Sequence, residues 1–219
     1  MANVIKLRKG LDIHLTGKAK SVQVTPLKSK QYAVVPDSFG GVIPKVLVRE
    51  GDRVKAGDAL FVNKKYPEEK FASPVSGEIT AVVRGDRRKV LAITIQADET
   101  QDYADFGRRD VETLTGDEVK NALLEAGLFG FIQQLPYAVA TTPDTLPRDI
   151  FVSAFRDMPL AADFEVELQG NEAAFQAGLT ALSKIQTTHL SVHKRQTATA
   201  LLQAKQVELH VIEGKCPAG

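Results

Sequence analysis

The sequence predicts an α+β protein of two domains, a small β barrel or sandwich followed by an α/β domain with a parallel sheet. Residues 32–97 contain short apolar stretches separated by glycine turns, and residues 98–113 are polar and acidic. Residues 150–212 then alternate between strand and helix patterns. The predicted order is a β segment over 1–31, the β domain over 32–98, a linker with a short helix over 99–147, and the α/β domain over 148–219.

The 219-residue chain is almost neutral, but its charge is unevenly distributed. Residues 1–100 hold 18 Lys and Arg against 11 Asp and Glu, a net +7, and residues 101–219 hold 10 against 16, a net −6. The single cysteine, Cys216, excludes an intramolecular disulfide and agrees with a reducing compartment. No stretch approaches the roughly 20 apolar residues of a membrane helix, and the first residues lack the apolar core of a secretory signal. These features favour a cytosolic globular protein.

Nucleic acid is disfavoured as a partner. The basic residues of the first half are scattered, and no motif there combines basic and aromatic side chains as RNA-binding sheets do. The excess positive charge could instead face an anionic lipid surface or an acidic partner, or serve only solubility.

Paired Gly-Asp turns organise the predicted β domain. Glycine accepts positive φ, and aspartate bonds nearby backbone amides, so each pair suits a tight turn between strands. The pattern Val-x-Glu-Gly-Asp-x-Val-x-x-Gly-Asp-x-Leu spans Val48 to Leu60, and Ser-Pro-Val-Ser-Gly follows at Ser73 to Gly77. These motifs resemble the biotinyl/lipoyl barrel-sandwich hybrid family. The resemblance implies a hairpin whose tip falls at 63–70.

In that family a lysine at the hairpin tip carries the prosthetic group. Counting from the flanking motifs places the attachment position at Tyr66 or Pro67, neither of which can form the required amide bond. The nearby lysines, Lys64, Lys65 and Lys70, are out of register. We therefore expect a structural or docking module that binds no biotin or lipoate.

The predicted linker contains a helix and an apolar segment. Thr115 and Glu118 have the spacing of a capping box, which predicts a helix over 115–126 with Gly127 just beyond its end. The sequence from Leu128 to Tyr137 is rich in apolar and aromatic residues and is interrupted by Gly130. This segment could form the wall of a hydrophobic pocket, or it could pack onto the core.

The last third of the chain reads as strand, helix, strand, helix, strand. Ile150–Phe155 is a short apolar run, and apolar residues at helical spacing predict a helix over 172–185 with Asn171 as its N-cap. Strands are predicted over 189–193 and 207–212, with a short helix over 198–203 between them. This order is typical of half of a Rossmann-like unit.

The sequence contains no motif for a catalytic or cofactor site. No Gly-x-Gly-x-x-Gly follows the strand that ends at Phe155, and no Walker loop is present. His189 and His193 share a face of one predicted strand, but no Asp, Glu or Cys lies close enough in sequence to complete a metal set. We therefore predict no catalytic residue, no cofactor ligand and no metal site.

Several motifs resemble one family along the whole chain. Ile5-Lys-Leu-Arg-Lys-Gly-Leu-Asp12, Asn63-Lys-Lys-x-Pro67, Arg84-Gly-Asp-Arg-Arg-Lys-Val-Leu91 and Ile150-Phe-Val-Ser-Ala-Phe155 are similar, in this order, to the N-terminal half of the A-subunit family of sodium-translocating NADH:quinone oxidoreductases. The chain departs from the family at Phe129-Gly-Phe131, where tryptophan is usual, and at Asp157-Met-Pro, where Asn-Pro is usual. Because members of the family are longer, we expect this chain to be a fragment.

The resemblance implies a peripheral subunit on the cytoplasmic side of a bacterial inner membrane. The complex would be an enzyme that moves electrons from NADH through FAD or FMN and an iron–sulfur centre to quinone, and that exports sodium. This chain is expected to bind none of those cofactors, to contact the membrane subunits, and to be inactive alone. If it contributes to a quinone site, the expected contacts are Phe131, Pro136 and Tyr137.

Two alternatives remain open. The chain could belong to the C-subunit family of Rnf electron-transport complexes, which shares the barrel-sandwich and α/β plan. It could also be a biotinyl/lipoyl-like adaptor module that lacks a cofactor.

Overall fold

The structure is a computed structural model that describes residues 3–13, 15–17, 29–158, 160–161 and 163–218. These residues form two compact units. The β unit contains the described residues of 27–109 and 120–146, and the α/β unit contains those of 1–26, 110–119 and 147–219.

The described residues form thirteen strands and four α-helices. In chain order they are β1 (Asn3–Lys6), β2 (Gln31–Val34), β3 (Pro44–Val46), β4 (Arg53–Val54), β5 (Ala59–Asn63), β6 (Lys70–Ala72), β7 (Gly77–Arg84), β8 (Val90–Ala97), α1 (Gly116–Glu125), β9 (Gln133–Gln134), β10 (Val139–Ala140), β11 (Ile150–Ser153), α2 (Phe164–Leu168), α3 (Glu172–Ile185), β12 (Thr188–His193), α4 (Thr199–Leu202) and β13 (Glu208–Glu213).

Two antiparallel sheets build the β unit. One has the strand order β2-β8-β7-β4, the other has the order β3-β5-β6, and β9 and β10 form a separate hairpin. Side chains from both sheets share one core, in which Phe61, Phe71, Ile79 and Ile93 are almost completely buried. The predicted barrel or sandwich is thus confirmed.

The Gly-Asp turns form as the sequence predicts. Gly51 and Gly57 have positive φ, +86° and +104°. Asp52 and Asp58 each accept a 2.7 Å hydrogen bond from the backbone amide three residues earlier. Each turn therefore fixes where one short strand ends and the next begins.

The α/β unit contains one parallel sheet with the order β1-β13-β12-β11. Leu190 and Val192 of β12 are fully buried and pack in a cluster with Leu168, Leu179 and Leu201 from the three helices that follow β11 and β12. The predicted α/β domain with a parallel sheet is confirmed.

Strand β1 was not anticipated as part of this sheet. The sequence suggests a separate segment over 1–31, whereas Asn3–Lys6 pairs with His210–Glu213 as a parallel edge strand. A four-residue strand carries too little pattern to identify its partner from sequence. Residues 1–2, 14 and 18–28 of that segment lie outside the described part of the chain.

The helix ends agree with the predictions except at one cap. Glu118 accepts a hydrogen bond from the Thr115 amide at 2.8 Å, and its own amide donates to the Thr115 hydroxyl, which completes the predicted capping box. Asn171 is the N-cap of α3, as predicted, but its side chain makes no capping hydrogen bond. Its backbone (φ −118°, ψ 13°) is not in the extended conformation that normally aims an N-cap side chain at the helix.

The described helices are short. The longest, α3, has 14 residues, and within the described ranges no helix is both long and apolar enough to cross a bilayer.

Candidate functional site

The resemblance to biotinyl/lipoyl domains predicts a prosthetic group at the tip of the β5–β6 hairpin. Tyr66, at the expected attachment position, donates a 2.8 Å hydrogen bond from its hydroxyl to Asp144 Oδ2. This bond raises the pKa of the Tyr66 phenol. The hydrogen bond from Thr142, followed by the one from Tyr66, lowers the pKa of the Asp144 carboxyl. A phenol cannot form the amide bond that lipoate or biotin requires, so the residues at the tip do not fit those groups.

A buried carboxyl group lies beneath this tip. Glu69 is completely buried, and its Oε2 accepts a 2.8 Å hydrogen bond from Asn63 Nδ2. Its Oε1 has no hydrogen-bond partner within the described structure. Burial raises the pKa of the Glu69 carboxyl, the bond from Asn63 opposes that rise, and the charge of Glu68 adds to it.

The apolar segment 128–137 packs closely on strand β6 through Gly130, as does Gly127 just before it. A Cβ at Gly130 would lie 2.4 Å from Phe71 Cε1, and one at Gly127 would lie 2.8 Å from the Ala72 backbone nitrogen. Gly127 also has φ of +71°, as expected for a residue just past a helix end. A larger residue at either position would push the segment off the strand.

The same segment presents apolar side chains to solvent. Phe131 is 67% exposed and Tyr137 is 77% exposed, and Pro136 is exposed beside Tyr137 in the turn between β9 and β10. The Phe131 ring makes an edge contact with Phe39 at 5.2 Å between centroids, and Phe39 contacts the buried Phe71 at 4.6 Å. We call residues 128–137 the apolar ledge. Its exposed surface is apolar and aromatic, and it also packs on the core through Phe129.

A cleft of about 380 Å³ lies within the α/β unit, at the carboxyl ends of its central strands. Open α/β sheets commonly bind ligands at this edge. Arg156 lies just beyond β11, and His193 is the last residue of β12. Both line the cleft, together with Asp12 and Asp157. Arg156 pairs with Glu167 at 3.1 Å, so part of the positive charge there is already neutralised.

On the same sheet, three side chains from two neighbouring strands converge. His189 Nδ1 lies 2.9 Å from His210 Nε2 and 3.3 Å from Glu208 Oε2. The sequence suggests His193 as the partner of His189, but the His193 ring instead packs near Phe155 at 5.7 Å. No acidic residue lies close to His189 in sequence. Glu208 on the neighbouring strand β13 takes that place, because it is in register with His189.

Sequence reasoning missed both Glu69 and the His210 cluster, for different reasons. Glu69 stands in the charged run Glu68-Glu69-Lys70, which reads as solvent-exposed surface. Glu208 and His210 alternate along one strand, so a pairing with His189 could have been found only by placing β12 and β13 side by side in the correct register.

Replacing Glu69 with glutamine is expected to flatten the pH dependence of stability. Because the folded pKa of Glu69 lies above its ordinary value of 4.5, the folded state retains the proton after the unfolded chain has lost it. This contribution is present below pH 4.5 and is lost as the pH rises through the folded pKa. At neutral pH, E69Q should be more stable than the parent by about 1 kcal/mol or more, since no buried charge remains unpaired.

Urea unfolding from pH 4 to pH 8 gives the free energy of unfolding of parent and variant, and the difference between the two at each pH measures this effect. Glu68→Gln is the matched control, because Glu68 is exposed and adjacent. A pH profile of E69Q parallel to that of the parent, or a shift as large in E68Q, would contradict the assignment.

The fold and the hairpin tip together define a class of protein. It is a barrel-sandwich hybrid domain with Tyr66 at its hairpin tip, combined with an α/β domain that has a parallel sheet. Residues 5–98 match the family model described as the NqrA N-terminal barrel-sandwich hybrid domain, and residues 114–219 match the NqrA second alpha/beta domain. The chain therefore belongs to the NqrA family, as the sequence motifs predicted.

Individual relatives agree with both domain matches. The chain is 36% identical to the A-subunit of the Na(+)-translocating NADH-quinone reductase of Serratia proteamaculans, over 99% of this chain and 49% of that protein. It is 34% identical to the proteins of the same name from Yersinia pestis and Haemophilus influenzae, with the same coverage. The chain spans about half the length of the curated relatives it matches.

Proposed function

We propose that this chain is the N-terminal part of a peripheral, non-redox subunit of a sodium-translocating NADH:quinone reductase. The observation that carries the proposal is the pair of NqrA domain matches, in the family's order, over residues 5–98 and 114–219. Relatives at 34–36% identity bear the name of the A-subunit of that enzyme. Both matches favour this function over an Rnf component or a free adaptor module.

In this proposal the β unit is a docking module. The attachment position holds Tyr66, whose hydroxyl is bonded to Asp144, and this supports a role other than carrying a group. The partners would be the membrane subunits, with the chain on the cytoplasmic side of a bacterial membrane. Flavin, iron–sulfur and nicotinamide chemistry would then take place on other parts of the complex.

Copurification tests the assignment to the complex. The tagged full-length protein, purified from its native membranes, should bring with it flavin-containing membrane proteins and NADH:quinone activity that depends on sodium. Recovery of the tagged protein alone, under conditions where the membrane complex stays intact, would count against the proposal.

The apolar ledge is the proposed quinone contact. Phe131, Pro136 and Tyr137 offer exposed apolar and aromatic surface, and the contact of Phe131 with Phe39 holds one ring against the domain. A planar quinone ring can stack on such rings, whereas the bonds to its carbonyl oxygens would come from other groups.

Phe131→Ala and Tyr137→Ala are each expected to weaken the binding of a photoreactive quinone analogue to the assembled complex. Aromatic contacts contribute about 0.5–1.5 kcal/mol, which corresponds to a roughly 2- to 12-fold loss of affinity for each variant. The measurement is the concentration dependence of labelling on this protein. Tyr103→Ala is the control, because Tyr103 is 68% exposed in the same unit and lies outside the ledge. Unchanged labelling in both ledge variants would contradict the quinone contact but leave the copurification result intact.

A further inference from the structure

His189, Glu208 and His210 form a compact set of possible metal ligands on the parallel sheet. One ligand atom from each residue lies within 4.8 Å of the other two. Two imidazoles and one carboxylate are the ligand set of many three-ligand zinc sites, which keep a fourth position open. We propose that these side chains bind a divalent transition metal of the zinc type.

The spacing of the donor atoms fits one shared ion. Ligands at about 2.0–2.1 Å from a tetrahedral ion lie roughly 3.3 Å from one another. His189 Nδ1 and Glu208 Oε2 are already 3.3 Å apart, and the 2.9 Å between the imidazole nitrogens needs only a small opening. The strands provide this geometry, because His189 and Glu208 are in register and His210 lies two residues further along β13.

The surroundings of His189 also suit a ligand. Its second ring nitrogen, Nε2, faces Asp149 Oδ1 at 3.6 Å, and a carboxylate in this position orients metal-binding histidines. The Phe151 ring stacks on the His189 ring at 4.9 Å and restricts its rotation. The Glu208 side chain is 64% exposed, so the open coordination position has access to solvent.

His210 differs from His189 in its second ring nitrogen. Its Nδ1 is buried and has no hydrogen-bond partner in the described structure. Ligation through Nε2 would place the proton on Nδ1, where it has no partner, so the metal bond must outweigh the cost of that unpaired N–H. The site lies toward the amino ends of β12 and β13, whereas the cleft lies at their carboxyl ends. The site is thus separate from the cleft, and it shares no residue with the apolar ledge of the proposed function.

Zinc titration of the tag-free 219-residue chain by isothermal calorimetry tests the proposal. We expect one Zn²⁺ per chain, and titration with Co²⁺ should produce the visible absorption of a low-symmetry cobalt site. Because outer-sphere partners alone change metal affinity by about 10–100-fold, His189→Gln and Glu208→Gln should each weaken zinc binding more than about tenfold.

His193→Gln is the matched control, because His193 lies on the same strand and face but outside the cluster. It should retain the parent affinity. Glu208 is exposed, so E208Q keeps the test decisive if H189Q does not fold. Absence of saturable one-to-one binding, or an equal loss in H193Q and E208Q, would overturn the proposal.

Discussion

An alanine at position 77 is expected to destabilise the β unit by about 3 kcal/mol or more. Gly77 begins β7 and faces Ala97 across the antiparallel pair with β8. A Cβ at this position would lie 2.0 Å from the carbonyl oxygen of Gln96 and 3.1 Å from the Ala97 Cα. Both atoms belong to the backbone, so no side chain can move aside and the strands themselves must separate.

The chain offers a specific optical probe for this variant. It has no tryptophan, and its four tyrosines, at 32, 66, 103 and 137, all lie in the β unit. Urea unfolding followed by tyrosine fluorescence therefore reports on that unit. Gly85→Ala is the control, because the three atoms nearest to its Cβ would all belong to the partly exposed side chain of Leu91, which can move. A loss of unfolding free energy in G77A that is no larger than the loss in G85A would contradict the close approach of β7 and β8.

Local signals explain why much of the fold could be predicted. The turns at Gly51 and Gly57, the capping box at Thr115 and the helix over 172–185 each depend on residues within a few positions of one another. Their hydrogen bonds join residues that are close in sequence, so composition and spacing are sufficient to identify them. The order of strands and helices then favoured a parallel sheet in the second domain.

Features that depend on distant residues could not be predicted in the same way. Strand β1 pairs with a strand some two hundred positions later, and nothing in Asn3–Lys6 identifies that partner. Helix α2 was not predicted either, because five residues carry too little periodicity. Its N-cap, Asp163, accepts a hydrogen bond from the Glu165 amide.

The candidate site shows the same division between local and distant information. The sequence left open whether segment 128–137 forms a pocket wall or packs on the core. The structure buries Phe129 and exposes Phe131 and Tyr137, and the quinone contact itself stays a prediction. The bond between Tyr66 and Asp144 joins residues 78 positions apart. The His189 cluster likewise needs the register of β12 and β13, so only a structure could place its ligands together.

Leu201→Ala is expected to destabilise the α/β unit by about 2–5 kcal/mol. Leu201 is fully buried in the core cluster that packs on the sheet, together with Leu190 of β12. Removing its side chain leaves a cavity beneath a four-residue helix, and such a short helix depends on packing for its stability. Unfolding followed by circular dichroism in the helical band measures the change.

The adjacent Leu202 provides a control within the same helix. Leu202 is 40% exposed, so Leu202→Ala removes less buried surface than Leu201→Ala and should cost clearly less, about 1 kcal/mol. Because both variants make the same chemical change one residue apart in α4, their difference isolates burial against the sheet. Equal losses of unfolding free energy in the two variants would mean that the core cluster around Leu201 does not hold α4 in place. A large loss in Leu201→Ala alone would show that packing on one face of the sheet stabilises the unit that carries the His189 cluster.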